Sequence, residues 1–397
     1  MKTVGAKQTI RKIAEAIFQS RWYPNKKILI ESIPDRSCQS EPVFQYMLKE
    51  GLNKKYKLIW MVKDKNDFKD VRIKNVKFVN FTPKTKWEKI ARMYRLCTSR
   101  AMMYTNRYIG KIFEKQVLVY LIHGTALKAR STHARADAVN ECDICISLSE
   151  FLIPLEAAQS DGIAEERFCV TGYPRNDALF DRGDFVKMLY PDATYDKVIL
   201  WMPTFRKADH ADRVDSTFEM PLEIPCLYSE EDCRKLDAVL RERNVLLILK
   251  PHPAQKLSAI KELGLTNIVL LYNEELDEKG IQLYQFVGAT DALITDYSSI
   301  YYDYLLTGKP IGLTVDDFEV YGKDTGFVYE NVFDYVIGEH ILNADDFVRF
   351  ATHVADGEDA LKDKRKEMTD LFHKYQDNQS TKRVYECIQR ELQNRYG

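Results

Sequence analysis

In the first part of the chain, short runs of apolar residues alternate with longer amphipathic stretches. The apolar runs predict strands at residues 26–31, 56–62, 101–104, 116–122, 143–147 and 167–171. The stretches between them predict helices at residues 41–50, 84–98 and 150–159. Regular alternation of this kind is typical of parallel strands joined by helical crossovers.

A second series begins after a looser, polar stretch with Pro and Gly at residues 173–196. Its predicted strands are 197–202, 245–249, 268–271, 292–295 and 310–314. Its predicted helices are 230–243, 279–287, 299–306, 344–356, 360–375 and 381–395. The pattern predicts an α/β fold of the GT-B type, with two Rossmann-like domains facing across a cleft and C-terminal helices.

A length of 397 residues suits two domains better than one. We place a basic amphipathic helix at residues 1–23, an N-terminal Rossmann-like domain at 24–183 and a C-terminal Rossmann-like domain at 184–397. The polar loop at 206–228 is long enough to predict a lid.

Two histidines stand directly after predicted strands, one in each half. His123 lies in LIHGT at 121–125, and His252 lies in LKPHP at 249–253. Residues just past the carboxyl ends of strands in an open α/β sheet face the ligand crevice. An imidazole can give or take a proton near neutral pH. Each could be an ordinary loop histidine, but two at equivalent strand ends favour a shared catalytic cleft.

Several short motifs favour a phosphate-bearing ligand. In TDYSS at 295–299, Ser298 or Ser299 can cap a helix whose first amides bind an anion, and Asp303 returns to the same face one turn later. The alternative is an ordinary capped helix with a solvated Asp303. MPTFR at 202–206 and Lys250 occupy further strand ends.

Arg175, in GYPRND at 172–177, can fork onto a phosphate or tie the two domains together. Together these motifs fit group transfer from a nucleotide donor, where catalysis is chiefly positioning and charge stabilisation. The chain contains neither GxGxxG nor GxxxxGK[ST], which counts against a dinucleotide dehydrogenase and a P-loop kinase.

The net charge of −1 hides a strong asymmetry between the two halves. Residues 1–183 hold 33 Lys and Arg against 20 Asp and Glu, whereas the remainder holds 25 against 39. The N-terminal half is therefore expected to meet an anionic surface, which we take to be a membrane and not nucleic acid. Pairing of the two halves with each other is the alternative.

The chain has no apolar run long enough to span a bilayer and no signal-peptide core at its start, so we expect it in the cytosol. Its eight cysteines are scattered, and we interpret them as reduced thiols.

Two basic amphipathic helices are candidates for membrane contact. The first carries an apolar stripe that consists of Ile10, Ile13, Ala14, Ile17 and Phe18. The second, at 84–98, carries Trp87, Ile90, Met93, Tyr94 and Leu96. We predict that the first helix lies on a membrane, because no strand precedes it, and that the second packs on the sheet.

Taken together, the motifs resemble those of the CDP-glycerol glycerophosphotransferase family, the TagB- and TagF-like enzymes of teichoic acid and capsule synthesis. The matching motifs run in the same order, from IESIPDRSCQSEPVFQYMLKEG through HGTALK, GYPRND, MPTFR, KPHP and TDYSSIYYDYLLTGKP to QDNQSTKRV. The resemblance covers about residues 24–384 and is greater to the short, priming or capsule-type members.

The resemblance implies a role for most of these positions. His123 would be the general base for the acceptor hydroxyl, and His252 would stabilise or protonate the phosphate of the departing CMP. The CDP-glycerol contacts would be Arg175, Pro203, Thr204, Lys250, Ser298, Ser299 and Asp303, together with Gly124, Thr125, Ala126 and Leu127 after the first histidine. Ala126 stands where the family commonly has proline. The adjoining Arg206, Pro251 and Asp296 are further substrate-binding candidates.

The implied reaction moves glycerol phosphate from CDP-glycerol to a hydroxyl of a lipid-linked or capsular saccharide or of a polyol-phosphate acceptor, and releases CMP. The N-terminal domain would bind the acceptor and the membrane, and the C-terminal domain would bind the CDP-polyol. The implied location is peripheral, at the cytoplasmic face of the membrane. Alternatives are a CDP-ribitol donor, a GT-B sugar-nucleotide glycosyltransferase or epimerase, and a non-catalytic nucleotide sensor. No cofactor is implied, although the diphosphate leaves room for a loosely held Mg²⁺.

Overall fold

The structure, a computed structural model, describes residues 2–20, 23, 25–125, 127–129, 142–160, 163–204, 206, 216–252, 255 and 257–397, with the backbone alone for residues 2–8. These residues fall into two compact units. The first comprises the chain up to His123, the stretch from Cys142 to Asp177, and Gln379–Gly397. The second comprises the stretch from Gly124 to Ala129 and Ala178–Asn378.

The described part of the first unit contains one sheet of seven parallel strands. They are β1 (Lys27–Ile30), β2 (Lys57–Val62), β3 (Val76–Asn80), β4 (Ala101–Tyr104), β5 (Val117–Tyr120), β6 (Ile144–Ser147) and β7 (Phe168–Val170). Their order across the sheet is β3-β2-β1-β4-β5-β6-β7. The α-helices of this unit are α1 (Lys2–Phe18), α2 (Ser40–Lys49), α3 (Lys86–Cys97), α4 (Ile153–Gln159) and, from the end of the chain, α14 (Ser380–Tyr396).

The described part of the second unit contains six parallel strands. They are β8 (Lys197–Trp201), β9 (Val245–Leu249), β10 (Ile268–Leu270), β11 (Ala292–Thr295), β12 (Ile311–Thr314) and β13 (Glu339–Ile341), in the order β10-β9-β8-β11-β12-β13. The α-helices are α5 (Phe185–Leu189), α6 (Glu230–Glu242), α7 (Ser258–Glu262), α8 (Asn273–Glu278), α9 (Leu283–Ala289), α10 (Ile300–Leu305), α11 (Phe318–Asp324), α12 (Ala344–Asp356) and α13 (Lys362–Phe372).

Both sheets are doubly wound, and the strand order reverses at an equivalent point in each. The reversal falls between β1 and β4 in the first unit and between β8 and β11 in the second. Central strands such as β9 and β11 are buried along their whole length, because helices cover both faces of a parallel sheet. Ligands of such folds bind outside the carboxyl ends of the strands, at the reversal. The predicted α/β class with Rossmann-like sheets is confirmed.

The C-terminal helix α14 belongs to the first unit, although the predicted domains were single stretches, 24–183 and 184–397. Its apolar stripe of Val384, Ile388 and Leu392 is buried. Near the end of the chain, Arg395 pairs with Asp143 at 2.9 Å. The apolar stripe of α14 is removed from water by packing in the first unit, against its sheet. The acceptor and donor roles assigned to the domains stay predictions.

The prediction that helix α3 buries its apolar side chains is wrong. Trp87 and Ile90 are 79% and 60% exposed, and Met93 and Tyr94 are also exposed. The helix instead packs through Leu96 and the stem of Arg92, whose guanidinium lies 4.8 Å from the Phe81 ring centroid. The stem of Arg92 thus makes the contact that an apolar side chain of α3 was expected to make.

Helix α1 also presents apolar side chains to the outside. Ile10, Ile13 and Ile17 are all more than half exposed, whereas Gln19, just past the helix, is buried and donates to the carbonyl of Ser99. In the described part of the chain, no helix combines the length and the apolar composition that crossing a membrane requires.

Candidate active site

His123 emerges from the first sheet at a sharply turned backbone. The preceding residues, Leu121 and Ile122, are buried, whereas His123 itself is exposed. Ile122 has a φ of 38°, in the left-handed region that a β-branched residue rarely adopts. Such strain is found where the surrounding structure imposes it, often at functional sites. The turn directs the histidine away from the core.

Two side chains approach the same nitrogen of the His123 ring. Nδ1 lies 3.0 Å from Nδ2 of Asn106 and 3.8 Å from Sγ of Cys38. Asn106 follows β4, the strand beside β5, so the two loops meet at the carboxyl edge of the sheet. Neither Asn106 nor Cys38 was predicted as a site residue. The signal for Asn106 was its place two residues after a buried apolar run.

Arg175 is buried and braces the loop that carries His123. Its Nη1 donates to the carbonyl oxygen of His123 and lies 3.6 Å from Sγ of Cys38, and its backbone N–H donates to Gln39. The sequence suggested either a phosphate contact or a tie between domains. The structure adds a third role, which is to fix the His123 backbone, and the phosphate contact stays a prediction.

In the second unit, Thr204, Asp296 and Arg206 come together at the carboxyl ends of β8 and β11. Both carboxylate oxygens of Asp296 accept from the Thr204 N–H, at 3.1 and 2.9 Å, and Oδ1 accepts from the Thr204 hydroxyl at 2.7 Å. Arg206 donates to Asp296 at 2.9 Å. Pro203, between the strand and Thr204, is buried. The loop after β8 is thus held against the loop after β11 at the reversal point.

Arg206 and Asp296 belong to a buried brace, a set of ion pairs and hydrogen bonds that holds this loop, and the direct ligand contact predicted for them stays a prediction. Arg206 is 5% exposed, and its Nε and Nη2 donate to the two oxygens of Asp317 at 2.6 and 3.0 Å. Its Nη1 donates to Asp296 and to Thr204. Burial opposes the charge of Arg206, but Asp296 and Asp317 outweigh it, so the pKa of the guanidinium is raised. Asp317 was missed by sequence reasoning.

Lys250, at the end of β9, is a buried cation. Its Nζ donates to Oδ1 of Asn273 at 2.7 Å. Burial lowers its pKa to about 8, although Glu274 and Asp277 act in the opposite direction. Pro251 is buried beside it, while His252 is exposed and its carbonyl accepts from the N–H of Gln255. The lysine is therefore protonated at neutral pH but close to losing its charge.

This titration gives a testable pH dependence. If Lys250 holds the donor phosphate, affinity for CDP should be full below about pH 8 and fall by up to tenfold per pH unit above it, because the neutral amine cannot pair with an anion. Calorimetric titration with CDP measures this. Lys250→Arg keeps its charge and should remove the decline, and Lys250→Met should bind weakly at every pH. An identical pH profile for wild type and Lys250→Arg would contradict the assignment.

The serines of TDYSS lie at the start of α10, as predicted. Ser299 occupies the N-cap position without a capping hydrogen bond from its side chain, and Ser298 Oγ is 3.5 Å from the N–H of Ile300. A distance of 3.5 Å is long for a hydrogen bond. Both serines are half-buried. Capping therefore engages their hydroxyls weakly, which suits the predicted phosphate contact.

Asp303 lies on α10, as predicted, but in the core. Its side chain is fully buried and accepts from the hydroxyl of Tyr284 at 2.6 Å. Its predicted contact with a ligand hydroxyl stays a prediction, and that hydroxyl would have to approach a carboxylate already bonded to Tyr284.

The segment after His123 is only partly described. Thr125 and Leu127 are buried, Gly124 is half-buried, and the Leu127 carbonyl accepts from the N–H of Val328. Ala126 lies outside the described residues. His123 belongs to the first unit and His252 to the second, and their meeting in one cleft stays a prediction.

In the part of the chain that the structure describes, no group of three His, Cys, Asp or Glu side chains forms a metal site. The Mg²⁺ suggested for the diphosphate stays a prediction.

Comparison with known proteins bears on the candidate residues of both units. The model of the CDP-glycerol:poly(glycerophosphate) glycerophosphotransferase family matches residues 15–390. The chain belongs to this family.

Relatives of this glycerophosphotransferase-family chain include polymerases of ribitol phosphate and of glycerol phosphate. It is 27% identical over 354 residues to the teichoic acid ribitol-phosphate polymerase TarK of Staphylococcus aureus, with 84% of this chain and 64% of TarK covered. It is 23% identical over 344 residues to the teichoic acid poly(glycerol phosphate) polymerase of Staphylococcus epidermidis, with 79% and 43% covered. The chain spans less than two thirds of the length of either relative.

Solved structures share the fold. A variant of the wall teichoic acid polymerase TagF soaked with CDPG matches with a TM-score of 0.70 and 18% identity, over 97% of this chain and 93% of that one. A Listeria monocytogenes protein described as a putative UDP-N-acetylglucosamine 2-epimerase matches with a TM-score of 0.55 and 13% identity, over 93% of this chain and 97% of that one. The predicted GT-B-like class agrees with both.

Proposed function

We propose that this chain transfers a polyol phosphate from a CDP-polyol, CDP-glycerol in the first instance, to an acceptor hydroxyl and releases CMP, in the synthesis of teichoic acid or a related polymer. The observation that carries the proposal is the family match over residues 15–390, together with a histidine in each sheet after the second strand from the reversal, β5 in one and β9 in the other. The TagF variant soaked with CDPG supports the donor.

The second unit has the chemistry of a donor site. Lys250, Ser298 and Ser299 suit the two phosphates of a CDP-polyol. Arg206 donates to Thr204 and to Asp296, which lies two residues before Ser298, so the loop that carries the serines is held before any ligand binds. In the transfer, the acceptor oxygen bonds to the phosphorus next to the polyol, and the P–O bond to CMP breaks. His252 would then donate to the departing phosphate of CMP.

The first unit would supply the acceptor side. His123 is held by Asn106 at the ring and by Arg175 at the backbone carbonyl, so its position is defined before any ligand binds. The resemblance makes it the base for the acceptor hydroxyl. The acceptor is a lipid-linked or capsular saccharide or a polyol phosphate chain.

A CDP-ribitol donor is the second candidate, favoured by the 27% identity to TarK against 23% to the poly(glycerol phosphate) polymerase. Separate reactions with CDP-glycerol, CDP-ribitol and a UDP-sugar test the donor by CMP release. We expect CMP from one CDP-polyol and no nucleotide release from the UDP-sugar. Release of a nucleoside diphosphate would favour a glycosyltransferase. Tight CDP binding without CMP release from any donor would favour a nucleotide sensor.

The exposed apolar residues of α1 and α3, set among Lys and Arg, support peripheral attachment to an anionic membrane. Trp87→Ser with Ile90→Ser should lower binding to anionic vesicles about tenfold, because each side chain forfeits its burial in the interface. Flotation with vesicles measures this. Leu342→Ser removes an exposed apolar side chain from the second unit and should have no effect. Equal flotation of all variants would contradict attachment through α3.

The matching test of α1 replaces Ile10, Ile13 and Ile17 with serine and measures flotation with the same vesicles. Deleting the whole segment would also remove Gln19, which is buried against the first unit.

A further inference from the structure

We propose that Asn106 is a positioning residue that fixes the proton of neutral His123 on Nε2. The amide oxygen of Asn106 accepts from the backbone N–H of Ile33 at 2.8 Å, and the amide nitrogen lies 3.0 Å from His123 Nδ1. A backbone N–H can only donate, so the end of the amide that faces Ile33 must be the oxygen. The NH₂ group therefore faces His123.

An amide NH₂ also only donates, so Nδ1 of His123 must accept. An accepting Nδ1 carries no proton, and a neutral imidazole has one proton to place. The tautomer with the proton on Nε2 follows. The opposite orientation of the amide would set two N–H groups of Asn106 and Ile33 against each other and leave the backbone donor without its acceptor.

One buried carboxylate holds the backbone of the loop that carries Asn106. Glu31, directly after β1, is fully buried, and its Oε2 accepts from the N–H groups of Thr105 at 3.2 Å and Asn106 at 3.0 Å. Its Oε1 accepts from Nε of Arg107 at 2.9 Å, and Arg107 also contacts Asp35 at 3.3 Å. Because β1 and β4 are neighbours at the reversal, Glu31 locks the loop that presents Asn106 to the loop that carries Ile33.

The tautomer decides what His123 offers to a ligand. With the proton on Nε2, the outer nitrogen is a hydrogen-bond donor, suited to an anionic phosphate oxygen. A general base at Nε2 needs the proton on Nδ1, which the Asn106 amide opposes. His123 thus stabilises negative charge on a phosphate, in a reaction that depends mainly on positioning and electrostatics. This consequence rests on the proposed function and replaces the base role that the resemblance implies for His123. The acceptor proton then passes to a phosphate oxygen of the donor as the new P–O bond forms. The tautomer itself rests on the hydrogen bonds of Asn106 alone.

Asn106→Asp provides a sharp test because it exchanges a donor for an acceptor of similar shape. The carboxylate still accepts from Ile33, and its second oxygen now favours a proton on Nδ1. Protein labelled with ¹⁵N only at its seven histidines allows long-range proton–nitrogen spectra to identify which ring nitrogen is protonated. His123→Ala assigns the signal. Asn66→Asp, an exposed change with the same charge, is the control.

We expect His123 to be protonated on Nε2 in the wild type and in Asn66→Asp, and on Nδ1 in Asn106→Asp. A proton on Nδ1 in the wild type, or one tautomer in all three proteins, would overturn the proposal. The spectra need no substrate, so a failure of the proposed reaction leaves this result readable.

Turnover gives the second readout. Loss of the Nε2 donor should lower kcat of Asn106→Asp about 100-fold. If His123 acts instead as a base through Nε2, the Nδ1-protonated form is the active one, and Asn106→Asp would match or exceed the wild type. That result would overturn the donor role even where the tautomer is as expected.

Discussion

His252→Ala is expected to lower the rate of CMP release about a thousandfold and to leave the fold unchanged. The ring lies on an exposed loop after β9, so its removal opens no cavity in the core. Loss of a group that donates to a leaving phosphate typically costs about 10² to 10⁴ in rate. The measurement is CMP release under saturating donor, with circular dichroism and the unfolding midpoint as tests of folding.

His353→Ala is the matched control for this prediction. His353 lies on α12 and pairs with Glu339 at 2.9 Å, outside the candidate site. The His353→Ala variant should release CMP at the wild-type rate. Normal turnover by His252→Ala would remove His252 from the mechanism, and a comparable loss in His353→Ala would show that the assay responds to general destabilisation.

Arg206→Ala is expected to lower the free energy of unfolding by about 3–5 kcal/mol. The substitution leaves the carboxylates of Asp296 and Asp317, both with fully buried side chains, without the cation that compensates them. The Tyr297 hydroxyl, which donates to Asp317 at 3.0 Å, cannot replace a full charge. Urea unfolding of the wild type and the variant measures the difference.

Arg234→Ala is the control, because Arg234 and Glu230 form an ion pair with both side chains more than half exposed. Its loss should change stability by less than about 1 kcal/mol. Asp317→Asn, which keeps the shape of the partner and removes one charge, should fall between the two. Equal unfolding midpoints for Arg206→Ala and Arg234→Ala would contradict the stabilising role of the Arg206 ion pairs.

The sequence predicted strands and their ends where a continuous run of apolar residues marks the strand. The buried runs before His123 and before Lys250 and His252 predicted β5 and β9, and with them the edge at which these residues lie. Strands β3 and β13 were missed. Each lies at an edge of its sheet and is only partly buried, so its apolar pattern is weak.

Pairing over long separations was not predictable. Nothing near Arg206 indicates that Asp317, 111 residues away, binds two of its three guanidinium nitrogens. Likewise, Glu31 and Asn106 are 75 residues apart. Periodicity identifies which residues share a face but not which distant partner satisfies a charge. For the same reason, the stripe of α3 could be seen in the sequence, while its outward orientation could not.

In the proposed reaction, glycerol and its phosphate move together from the CDP-polyol to an acceptor. CDP-glycerol labelled with ¹⁴C in the glycerol and ³²P in the adjacent phosphate tests it most directly, with a synthetic glycerol-phosphate primer as acceptor. We predict that both labels enter the primer in equal amounts, that an equal amount of CMP appears, and that all three signals vanish in His123→Ala. Unequal labels in the primer would contradict the transfer of glycerol phosphate as a unit, and the same transfer by His123→Ala would contradict the role of His123.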